Sequence, residues 1–339
     1  MRILLWHVHG SWTDAFVHGS HEYLLPALPE GGPWGLGRAG REWPDSVRDV
    51  HPDRLRNEGV DVVVLQRPEE LEEATRYLGR RLGHDVPAVF VEHNTPKGDV
   101  PNTVHPLAGQ ADIPIVHVTH FNELMWDNGD APTTVVEHGI RDPGYLYTGE
   151  LERLAFVTNE PVRRWRVTGT DLLPGFTVAA PVDVFGMLGD GVADALGLSS
   201  ARITSVGDLG RDALHREMAR RRAYIHPVRW TSLGLSLLEA MHLGMPIVAL
   251  AATEAVRAVP PEAGIISTSL MELYDAAHRL IADPVEARRM GEAARAAALD
   301  RYGLDRFLTD WDRVLTGVLT SPQLDMPATP AAAMKGGRS

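Results

Sequence analysis

The sequence predicts an α/β protein built from two Rossmann-like, doubly wound domains side by side. Three observations carry this expectation. The chain has 339 residues, too many for one ordinary core and enough for two domains of about 150 residues each. Short β-branched apolar runs alternate with helical segments along its length, which is the grammar of a parallel sheet. A connection rich in turn residues, RDPGYLYTGE at 141–150, separates two such series.

In the first domain, taken as residues 1–145, the runs are RILLWHV, VDVVVLQ at 60–66, VPAVFVEH at 86–93, IPIVHVTH at 113–120 and TTVVEHG at 133–139. Their apolarity is continuous, as expected of strands covered on both faces. PEELEEATRYLGRRL opens with Pro and acids and closes with basic residues, so it reads as a crossover helix. The second domain, 146–303, restarts the pattern. LAFVTN, VDVFGM, ITSVG, AYIHPV, PIVALA and AGIIST predict six strands, with helices around 169–178, 211–221, 235–244 and 269–282. Helices over 284–301 and 304–318 follow, and SPQLDMPATPAAAMKGGRS at 321–339 is expected to be a disordered tail. In doubly wound sheets ligands sit beyond the carboxyl ends of the strands, so strand-ending polar residues are the first functional candidates.

Composition narrows the function. A formal net charge of -12 argues against a nucleic-acid partner, which needs clustered cations to neutralise phosphate. The absence of cysteine removes disulfides, thiolate nucleophiles and Cys-ligated zinc, and suits a reducing cytoplasm. The N-terminus, MRILLWHVHG, does not resemble a signal peptide, and no run reaches the roughly 18 apolar residues of a membrane span. A soluble, cytoplasmic protein without an integral membrane segment is therefore expected. His7 and His9 share one face of a strand but have no matching carboxylates nearby, so they read as packing or cleft residues rather than metal ligands. No strand leads into a persuasive G-x-G-x-x-G, which disfavours a dinucleotide dehydrogenase.

One segment points to a family. YIHPVRWTSLGLSLLEAMHLGMPIVALAATEAV joins a strand, a Gly-containing turn, a helix and a second strand. It resembles the donor-binding segment of retaining GT-B glycosyltransferases of the family 4 type (glycosyl transferases group 1). In that family a loop like PS..EGFGL leads into LLEAMA.G.PVVA, with two glutamates eight positions apart. Glu239 corresponds to the second; Thr231 stands at the first. VVEHGIRDP at 135–143 resembles the strand end before the interdomain linker, and SVGDLGRDALHREMARRRAYIHP at 205–227 extends the likeness. DPVEARRMGEAAR and DRYGLDRFLTDW resemble the family's last helices. The resemblance implies the GT-B fold, whose two domains face each other across a cleft, with a final helix at 304–320 crossing back onto the first domain.

The resemblance also assigns tasks. Glu239 would hold the ribose diol through charge-assisted hydrogen bonds. Gly234 lets backbone approach a ligand, and the following helix N-terminus suits a diphosphate. Thr231, Ser232, Leu233, Gly234, Leu235 and Ser236 are therefore donor-binding candidates. Relatives place an Arg and a Lys in the loop after the first strand of this domain. Here NEPVRRWRVTGTDLL at 159–173 offers Arg163 and Arg164 as catalytic candidates and Arg166 for donor binding, while Thr168 replaces the lysine. An arginine can clamp a diphosphate and stabilise the leaving group. His93 ends its strand where relatives keep a histidine near the transferred sugar. Gly10 and Ser11 occupy the place of a glycine-rich loop that touches the donor. His120 and His138 are further cleft candidates; Trp6 reads as core and Trp12 as facing the cleft.

The implied activity is transfer of a hexose from a GDP- or UDP-sugar to an unidentified acceptor hydroxyl, with retention of configuration and without a metal or other cofactor. Thr231 removes a charge that relatives direct at the hexose, so either donor recognition is altered or turnover is lost. The alternatives are a non-catalytic sugar-nucleotide sensor or scaffold subunit and, behind it, a sugar-nucleotide epimerase.

Overall fold

A computed structural model of the chain describes residues 1–320; the tail expected at 321–339 lies outside the described residues. Seven strands form the first sheet: β1 (Arg2–Leu5), β2 (Glu22–Pro26), β3 (Val47–Val50), β4 (Val62–Leu65), β5 (Ala88–Glu92), β6 (Ile115–His117) and β7 (Thr133–Val135). Six form the second: β8 (Leu151–Val157), β9 (Val182–Phe185), β10 (Ile203–Gly207), β11 (Arg221–His226), β12 (Ile247–Leu250) and β13 (Gly264–Ser267). The orders are β3-β2-β1-β4-β5-β6-β7 and β10-β9-β8-β11-β12-β13. All pairings are parallel, with Ile3 opposite Val62 and Ala155 opposite Tyr224. Each sheet is doubly wound, and its order reverses between β1 and β4 or between β8 and β11, which opens a crevice beyond those strand ends.

Continuous apolar runs build these sheets because each sheet is covered on both faces. Ile3 and Leu5 enter one cluster of the first domain and Leu4 the other. In the second domain Ala155 faces one cluster while Leu154 and Phe156 face the other. All six runs of the second domain form strands, as do the five of the first. β2 and β3 are additional. β3, VRDV, is buried only at its ends and exposes Arg48 and Asp49 between them; it is an edge strand whose charges hide it from a search for apolar runs.

The last helix, Leu304–Leu319, places Phe307, Trp311 and Leu315 on one face, the four-residue spacing of a packed helical stripe. That face enters the first domain's cluster, with the Trp311 ring 5.6 Å from Trp12 and 5.1 Å from Phe16. The chain therefore returns to its first sheet after completing the second. Among the described residues no helix is long and apolar enough to cross a membrane.

Candidate active site

Two cavities open between the sheets, at their carboxyl ends. The first, of about 580 Å³, is lined by Ser11, Asp14 and Arg41 from the first domain, and by Arg164, Thr168, Asp208, Arg211, His226, Thr231, Gly234, Leu235, Ser236 and Glu239 among others from the second. The second, of about 1040 Å³, is lined by His93, Asn94, Thr95 and Lys97 on one side and by Glu160, Arg163, Arg164, Trp230 and Thr231 on the other. Asn159, Arg164, Met187, Asp208 and Thr231 line both. Thr231 thus sits where the two spaces meet.

Helix Leu235–Leu243 is buried over seven of its nine residues, and it starts at Gly234 without a side-chain cap. The first amides of such a helix have no intrahelical partner and are open to a ligand. A Cβ on Gly234 would come within 2.8 Å of His226 Cε1, so glycine lets this turn lie against the imidazole beneath it. One turn into the helix, the Glu239 carboxylate is 9% exposed and lines the first cavity. The His215 ring faces it, with Nε2 3.8 Å from Oε1, and among the described residues no group hydrogen-bonds to the carboxylate. A nearly buried carboxylate in this state lacks the donors that ordinarily offset desolvation.

The arginine segment is not a simple loop. It forms a short helix, Pro161–Thr168, entered at left-handed Glu160 and broken at Trp165 (φ 32°). This geometry separates the three arginines. Arg163 is exposed and paired with Glu160. Arg166 is 72% exposed, bonds Asp171 at 3.2 Å and lines neither cavity. Arg164 is half-buried and faces both cavities, with no ion pair or side-chain hydrogen bond among the described residues. Burial, and then the charge of Arg163, push its pKa down, partly offset by Glu160. Thr168 is buried and shares a 2.9 Å hydrogen bond with Thr170.

His93 directly follows β5 and is 8% exposed. Gln66 donates to Trp6 O at 2.7 Å, so its Oε1 accepts from His93 Nε2 at 3.1 Å, and Nδ1 is left as an acceptor. Burial first, then His9 and His138, hold the His93 pKa well below its ordinary value, and the ring is neutral. The His9 ring lies 4.0 Å from it, tilted by 32°. Trp12 is 2% exposed and buried with the core, against the expectation that it faces the cleft; the returning helix covers it.

Three predicted donor residues, Ser232, Leu233 and Gly10, do not line either cavity. Ser232 Oγ donates to His93 O across the cleft at 2.8 Å, and Leu233 is packed in the second domain's core. Ser11, the neighbour of Gly10, does line the first cavity. Sequence reading missed Asp14, Arg41, Lys97, Asp208, Arg211 and His226. Asp14 accepts from Trp43 Nε1 at 2.9 Å and pairs with Arg211 of the second domain, which closes one side of the first cavity.

Comparisons with known proteins agree with this architecture. The family model described as Glycosyl transferases group 1 matches residues 181–283. No curated protein matches the chain. Among solved structures, sucrose-phosphate synthase from Thermosynechococcus elongatus is similar at TM-score 0.71 and 14% identity, over 94% of this chain and 99% of that one. A glycosyltransferase from Rickettsia africae gives 0.72 and 12%, with 94% and 99% covered. Anabaena HepE in complex with UDP gives 0.69 and 15%, with 94% and 100% covered. The chain therefore has the GT-B fold. Its second domain carries the group 1 glycosyltransferase segment, which holds β9 to β13 and the turn from Thr231 to Glu239.

Proposed function

We propose that the protein transfers a hexose from a nucleoside diphosphate sugar to an acceptor hydroxyl, with retention at the anomeric carbon. The observation that carries this reading is the first cavity's pair of unsatisfied groups, the Glu239 carboxylate and the Arg164 guanidinium, which line it together with Leu235 and Ser236 at an uncapped helix N-terminus. A ribose diol, a diphosphate and a hexose need these three in sequence: an acceptor for two hydroxyls, donors for phosphate oxygens, and a cation where charge develops. Glu239 takes the ribose, the amides of Leu235 and Ser236 take the diphosphate, and Arg164 faces the bond that breaks. The second cavity receives the acceptor.

As the anomeric C–O bond to the donor phosphate breaks, charge grows on the leaving diphosphate and is met by Arg164 and the helix amides. The acceptor oxygen bonds to the same face, and its proton passes to the departing phosphate oxygen. No protein nucleophile is required, and no metal enters this scheme. His93 Nδ1 accepts a hydrogen bond from a sugar hydroxyl. HepE has been seen with UDP and with UDP-glucose, which favours UDP over GDP here. At the cavity junction Thr231 offers a hydroxyl in place of a charge, so Asp208, which also lines both spaces without a hydrogen-bond partner among the described residues, is left to meet hexose hydroxyls.

A panel of UDP- and GDP-hexoses, followed by NMR of the products, tests the reaction. Acceptor-dependent release of nucleotide with unchanged anomeric configuration is expected. Binding of every donor without release would leave a non-catalytic binder, and an inverted product would overturn retention. Glu239→Ala should weaken nucleotide affinity about 10- to 100-fold, the range for losing charge-assisted hydrogen bonds; equal affinity by calorimetry would remove its assignment. His93→Ala is expected to lower turnover about tenfold, within the range for one hydrogen bond made in the transition state, with donor affinity nearly unchanged. Wild-type turnover in that variant would exclude His93 from the reaction.

A further inference from the structure

We propose that Arg41, from the first domain, grips the donor diphosphate from the side opposite Arg164, and that residue 10 is glycine to leave room for its guanidinium. The inference rests on the donor reading above and adds a residue to it. Arg41 lies between β2 and β3, in a stretch with no likeness to the group 1 segment, and it lines the first cavity beside Ser11 and Asp14.

Arg41 is exposed, and its charge is not paired within the described residues. Among the described residues the guanidinium has no ion pair and no side-chain hydrogen bond; its Cζ rests 6.0 Å from the Trp43 ring. Asp14, the one carboxylate on the first-domain wall of this cavity, is already engaged. It accepts from Trp43 Nε1 at 2.9 Å, pairs with Arg211 and lies 3.5 Å from Arg141. An unpaired arginine in a cavity whose one first-domain carboxylate is saturated, and which also holds unpaired Arg164, fits a bidentate anion held between domains.

Gly10 explains why the guanidinium can reach this place. A Cβ there would stand 2.9 Å from Arg41 Nη2 and 3.8 Å from His7 Nε2. Its φ is not left-handed, so the backbone itself does not require glycine. A methyl group would collide with the movable end of one side chain, displacing the guanidinium without disturbing the fold.

Calorimetry on the full chain with UDP, and saturation-transfer NMR titration with uridine, test the proposal; GDP and guanosine serve if the wild type prefers the purine. Arg41→Gln is expected to lower UDP affinity about tenfold, the loss of one charge-assisted contact, while uridine binds as before. Gly10→Ala should produce the same selective loss, and Arg41→Lys should recover part of it. An equal loss for UDP and uridine would indicate a structural role and overturn the proposal, as would unchanged UDP affinity in Arg41→Gln. Failure of the wild type to bind either diphosphate would instead overturn the donor reading.

Discussion

Arg164→Gln is expected to reduce turnover by about 100- to 1,000-fold, the range found when a preorganised donor to a developing oxyanion is removed. The folded protein should be no less stable than the wild type. Arg164 has no partner among the described residues, so its removal strands no carboxylate, and relief of burial and of repulsion by Arg163 acts in favour of folding. Arg163→Gln provides the contrast: its charge is exposed and paired with Glu160, so a small effect on turnover is expected. Steady-state rates for both variants, with unfolding midpoints measured alongside, make the comparison. Wild-type turnover in Arg164→Gln would take away the observation on which the proposed function stands.

Acidification from pH 6.5 to 4 is expected to destabilise the protein steeply, before most carboxylates titrate. Burial lowers the pKa of His138 to about 3, with His9 and Arg306 adding to it. It lowers those of His117 and His226 to about 4; at His117 the bond to Asn128 opposes the shift. In the unfolded chain these rings titrate near 6.5. Below that pH the unfolded state takes up protons that the folded state refuses, so stability falls as pH falls. Each ring contributes up to about 1.4 kcal/mol per pH unit until its folded pKa is reached. Urea unfolding at stepped pH reads the slope directly. His117→Gln keeps a donor for Asn128 but cannot titrate, and should make the slope shallower. Stability that stays flat between pH 7 and 5 would contradict the burial of neutral histidines.

The second domain was legible in the sequence because its strands are continuous apolar runs and its turn before Leu235 has a distinctive order of residues. The first was legible where its strands are central: β1, β4, β5 and β6 read directly, whereas β2 ends in Pro26 and β3 carries Arg48 and Asp49. The candidate site divides the same way. Residues placed by one strand and the turn after it, such as His93, Gly234 and Glu239, line the cleft as their positions in the chain suggest. Three neighbouring arginines were indistinguishable by composition, because the break at Trp165 that separates them is a backbone event with no residue signature. Arg41, Asp14 and Arg211 come from a loop, the middle of a short helix and a helix start in two domains, and only tertiary structure brings them to one wall.

The returning helix imposes an order on biosynthesis. Phe307, Trp311 and Leu315 are wholly or almost wholly buried in the core that also contains Ile3, Trp12 and Phe16. A ribosome completes β1 to β7 early, yet the face awaiting those three side chains stays bare until more than 160 further residues have emerged after Val135. The second domain's core draws on residues as far as Tyr302, all of which precede Phe307, so it can close first. The half of the protein that is translated first is therefore the half that finishes folding last, and the step that completes it also joins the two halves.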